Sequence, residues 1–147
     1  MKRFCASLVG LIIILNTFNV IGQQNLTTNA SNIWSDINER NIPSIGTRYI
    51  IPIKYRTSHL DFNILKTNLE STQILDLTQL ANATYTIEIP LPDGSYKTFN
   101  IAETPILEKP LAIKFPNIKT YSGFDSDANG WYLKMDLTPQ GFHAMIL

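Results

Sequence analysis

Cysteine and histidine are nearly missing from this chain, and so is any excess of charge: one Cys, two His, and twelve basic against twelve acidic side chains in 147 residues. The lone Cys5 sits in the extreme N-terminal segment, so the remainder cannot be cross-linked. Its stability must come from a hydrophobic core. The balanced charge gives no electrostatic case for nucleic acid or for an anionic membrane. His59 and His143 are too few for zinc, which takes three or four Cys, His or carboxylate ligands, and no H-E-x-x-H occurs. His143 reads as a partly exposed sheet residue and His59 as a residue at a strand–helix junction. No serine sits in a G-x-S-x-G elbow, no glycine loop cradles a phosphate, and no two carboxylates are singled out for acid–base work. An enzyme in its own right is therefore the least favoured class.

What the chain does have begins with a targeting pattern. Lys2 and Arg3 precede the apolar run Ala6 to Leu15, and Val20-Ile21-Gly22 supplies a small residue before Gln23. That order is a secretory signal peptide over residues 1–22, and the apolar run is shorter than the ~20 residues a spanning helix needs. Cys5 lies ahead of the run and cannot become the lipidated first residue of a mature lipoprotein. Export thus predicts a secreted product with no membrane contact after cleavage. About 125 residues remain, ten basic and twelve acidic, enough for one domain. The sequons at Asn25, Asn29 and Asn82 are read as chance in so Asn- and Thr-rich a chain.

Residues 23–48 read as a polar leader in which Trp34 is a docking point, and residues 49–147 as a β-rich domain. "YIIPIKY" (49–55) predicts an edge strand, because Pro52 cannot donate to a ladder. Asp61 is placed to cap a short helix carrying Ile64, Leu65 and Leu69. Ile74 to Leu80 stays open between helix and strand. "TYTIEIPL" puts Tyr85, Ile87, Ile89 and Leu91 on one face, Pro92-Asp93-Gly94 turns the chain, and "SYKTFNIAE" returns, so Thr84 to Glu103 predicts a hairpin. Pro105 to Pro116 predicts one helical turn in a crossover. Trp131, Leu133 and Met135 alternate in a further strand, "TPQG" turns, and "FHAMIL" starts its partner. The expected fold class is α+β and β-rich: antiparallel hairpins with one or two short helices. The expected core is Tyr85, Ile87, Ile89, Phe99, Ile101, Leu133, Met135 and Phe142. The apolar run up to Leu147 predicts an unfinished sheet and hence the front part of a longer protein.

"GFDSDANGWYLKMD" (123–136) is the one stretch with a metal-like pattern. Asp125, Asp127 and Asn129 alternate before Gly130, and Asp136 falls at the twelfth position, as in a calcium loop. The flanks are a Gly-broken loop and a strand rather than helices, and Asp136 is one methylene short of the closing glutamate. Asp, Asn and Gly are also what a tight turn selects, so the preferred reading is an acidic β-turn.

From Tyr55 onward the order of segments resembles the N-terminal region of secreted bacterial zinc metallopeptidases of the reprolysin-like (adamalysin-type) class. The resemblance rests on "HLDFNILKTNL" (59–69), "IEIPLPDGSYKTFNIAETPILEKPLAIKFPNIKTYSGF" (87–124) and "TPQGFHAMIL" (138–147). It implies a non-catalytic pro-region that covers or helps to fold a downstream catalytic domain, with the zinc in that domain and no cofactor in this chain. The family's H-E-x-x-H is absent here. Without a cysteine thiolate for the zinc, Asp125 or Asp127 is the carboxylate that would take that role. The alternative is an exported β-rich binding or adhesion domain, with calcium at Asp125, Asp127, Asn129 and Asp136.

Overall fold

Alternation at period two builds this molecule. The computed structural model describes residues 33–43, 49–50, 52–127 and 129–147. The expected signal peptide, Cys5, the sequons at Asn25 and Asn29, and most of the polar leader lie outside the described residues. A small ribbon pairs β1 (Trp34–Asp36) with β2 (Ser58–Leu60), antiparallel. The main sheet is a five-stranded antiparallel meander in sequence order. It comprises β3 (Tyr85–Pro90), β4 (Tyr96–Glu103), β5 (Lys119–Asp125), β6 (Tyr132–Thr138) and β7 (Gly141–Ile146). Helix α1 (Phe62–Leu69) packs on one face, and α2 (Lys109–Lys114) lies in the crossover from β4 to β5. This is the β-rich α+β class.

The β3–β4 hairpin closes where its turn chemistry demands. Gly94, at φ 97°, donates its N–H to the Leu91 carbonyl, and the Asp93 carboxylate accepts from the Ser95 N–H at 2.9 Å. Only glycine takes that φ without strain. Leu91 falls in this turn, beyond the face it was expected to share. In β3 the alternation is clean: Tyr85, Ile87 and Ile89 are buried between half-exposed neighbours.

The core lies between the concave sheet face and α1. It joins Tyr85, Ile87, Ile89, Phe99, Ile101, Leu133 and Met135 with Leu65, Leu69, Tyr121, Leu137 and Ile33. Phe142 is only partly buried and packs against its margin. The Asp61 side chain accepts from the Ile64 N–H at 3.0 Å, capping α1 as its sequence position predicts. Leu65 and Leu69, four apart, are the buried stripe, whereas Ile64 points outward.

Two expectations need correction, and one segment that the sequence left open takes its form. Tyr49 to Tyr55 is not an edge strand: its described residues are irregular, with Tyr49, Ile50 and Ile53 facing solvent. Pro52 removes a ladder donor there, and the pairing falls instead to Ser58–Leu60. The folded unit also reaches back into the residues read as leader, since Ile33 is 2% exposed and β1 belongs to the ribbon. Ile74 to Leu80 is neither simple helix nor strand. Ile74 makes a parallel bridge to Glu103, and a 3₁₀ helix follows over Leu77–Asn82.

Trp34 does dock, and its position defines the curvature. Its indole N–H donates to the Glu88 carbonyl of β3 at 2.9 Å, and its ring meets Phe142 of β7 edge-on at 6.0 Å. These are the first and last strands of the sheet, so the sheet curls until one side chain touches both borders. Gly123 in β5 permits the tight core beneath. A Cβ there would come within 2.6 Å of Ile101 Cγ2 and 2.8 Å of the Asn100 carbonyl oxygen.

Candidate functional site

The acidic turn forms because the β5–β6 connection has backbone N–H groups to satisfy and an aspartate at its first corner. Asp125 ends β5 on the concave side, with its side chain 1% exposed. Its carboxylate accepts from the Asp127 N–H at 2.8 Å and the Asn129 N–H at 3.2 Å, and pairs with Lys97 Nζ at 2.9 Å. Burial pushes this carboxyl up, but the Lys97 ammonium and the two N–H donors outweigh it and hold Asp125 below the usual carboxylate range. Lys97 also meets the exposed Asp127 carboxylate at 2.9 Å and lies 5.6 Å from the Trp131 ring centre. Gly130, at φ 84°, completes the turn.

The predicted site residues are therefore only partly brought together. Asp125, Asp127 and Asn129 share the turn. Asp136 lies in β6 opposite Thr120 and bonds His143 Nδ1 at 2.9 Å. Four strand positions past Tyr132, which pairs with Phe124, it is roughly 13 Å further along the sheet. Asp125 spends its oxygens on N–H donors and a lysine. No closed oxygen shell is assembled, and no three His, Cys, Asp or Glu converge among the described residues. His59 is exposed on the ribbon and does not join His143.

The convex face carries a polar cluster that spacing alone did not reveal. Ser122, wholly buried, shares a hydrogen bond with Thr104 Oγ1 at 2.7 Å and accepts from Lys134 Nζ at 2.8 Å. Among the described residues no carboxylate pairs with Lys134. The Tyr132 phenol, raised by burial, is brought below its ordinary value by its bonds to Lys134 and Ser122. The register Ser122↔Lys134 creates this contact, and a single sequence does not announce a register. Because Ser122 is sealed, the cluster locks β5 to β6 and offers no accessible nucleophile.

The remaining feature is the open side of β7. Leu147 exchanges both backbone bonds with Tyr132, so the alternation of an antiparallel ladder turns the N–H and C=O of Phe142, Ala144 and Ile146 away from β6. Among the described residues no strand pairs on that side. No described helix is long and apolar enough to cross a membrane. The fold and this edge define a β-rich α+β module with a curled meander. Comparison with known families, characterised proteins and solved structures found no match.

Proposed function

We propose that this chain is the non-catalytic, pro-region-like part of a secreted zinc metallopeptidase, serving to cover or help fold a catalytic domain outside these 147 residues. The observation that carries the reading is β7. It lies within "TPQGFHAMIL", one of the segments behind the family resemblance, and presents a row of outward backbone groups to an incoming strand. Strand addition at such an edge supplies affinity through main-chain bonds and register through alternate side chains. The acidic turn fits the same task. Asp125 is locked within it, whereas Asp127, 67% exposed, gives one oxygen to Lys97 and leaves the other to meet a partner's metal.

The test starts with the coding frame beyond Leu147, which should continue into H-E-x-x-H. The catalytic part is then assayed on a peptide substrate with and without this module added. Slowed hydrolysis, or a raised yield of active enzyme on refolding with the module, supports the reading. A stop codon directly after Leu147, or no effect in either assay, overturns it and leaves the exported binding domain.

A further inference from the structure

Tyr121 is 3% exposed, and its phenol makes no hydrogen bond among the described residues. Yet no buried side-chain oxygen or nitrogen among the described residues lacks a partner. The two facts agree only if the hydroxyl opens onto space. Tyr121 lines a cavity of ≈ 470 Å³ between α1 and the near ends of β4, β5 and β6. That volume lies within the roughly 300–1,000 Å³ of small-molecule sites.

The walls state the chemistry. Glu103 and Lys119 line the cavity but satisfy each other at 2.7 Å. Lys66 on α1 and Glu70 at its C-cap stand four residues apart, both lining the cavity and neither in an ion pair among the described residues. That spacing puts their stems one turn apart, about 5–6 Å between Cβ atoms. Phe62 and Leu137 supply an apolar wall. A cation, an anion with a neutral hydroxyl in its field and an apolar wall complement a molecule with its own ammonium, carboxylate and hydrophobic group.

We infer that this cavity binds an apolar amino-acid zwitterion, free or as a short unblocked peptide. The carboxylate is met by Lys66, and the ammonium by Glu70 and the Tyr121 hydroxyl oxygen. Burial, then the Glu103 and Glu70 charges, push the Tyr121 phenol far up, so it remains a neutral hydroxyl at any physiological pH. The inference does not depend on the metallopeptidase reading, and either can fail alone.

The experiment is an amide NMR titration of the full chain with four probes: L-leucine, Leu-Leu, N-acetyl-Leu-Leu-amide and glucose. Saturable shifts at Lys66, Tyr121 and Leu137 are expected with leucine or Leu-Leu, whichever is tighter identifying the source. The blocked peptide and glucose should leave those signals unmoved. Tyr121→Phe, which removes only an unbonded hydroxyl, should melt like the parent and bind about tenfold more weakly. Lys66→Gln, at an exposed position, is the second reader should Tyr121→Phe misfold, with a loss of similar size. Equal binding of the blocked peptide, preference for glucose, no saturable shift, or unchanged affinity in the variants overturns the assignment.

Discussion

Single residues set the tightest constraints here. Gly123 is required by space, since the methyl of an alanine would collide with Ile101 and with backbone. Gly123→Ala should cost about 1–3 kcal/mol, read as a lowered denaturation midpoint with unchanged slope. Asp125 sets a pH dependence with a definite sign. Its native carboxyl is held below its unfolded value, near 3.9, so its contribution is fully present above that pH and is lost as pH falls through the lower native value. Asp125→Asn should therefore flatten the acid limb of a stability–pH curve below about pH 4, leaving the neutral and alkaline limbs parallel to the parent. The sequence pattern did mark Asp125, Asp127 and Asn129 as a turn. It did not show that Lys97 on β4, 30 positions before Asp127 and nearer still to Asp125, would be the counter-charge, because that pairing follows from strand register.

At the scale of elements, local chemistry carried far. The Asp61 cap, the Pro92-Asp93-Gly94 turn and the period-two pattern of β3 and β6 were all readable, since each depends on neighbours in the chain. Asp61→Ala should cost about 0.5–2 kcal/mol and increase amide exchange in the first turn of α1. The 49–55 segment misled because its β-branched and aromatic residues favour a strand intrinsically, while a strand exists only with a partner. Tyr121 and Leu137 were missed as core for a related reason: their faces are decided by which side α1 covers. In α2 the helical turn was anticipated, but its lack of any buried residue was not.

For the whole molecule, the meander order follows from short connections, whereas the curl does not follow from any local pattern. At the open edge, Ala144→Pro should be tolerated because that N–H faces away from β6, and it should block addition of a partner strand. Retained folding with lost response in the catalytic-domain assay is the expected pair of results. The curl itself has a practical corollary. The chain has two tryptophans, Trp34 and Trp131, and only Trp34 spans the sheet borders. In a Trp131→Phe background its emission would act as a strain gauge. A red shift on partner engagement, with no loss of secondary structure, would register the arc springing open, one border drawn away from the other.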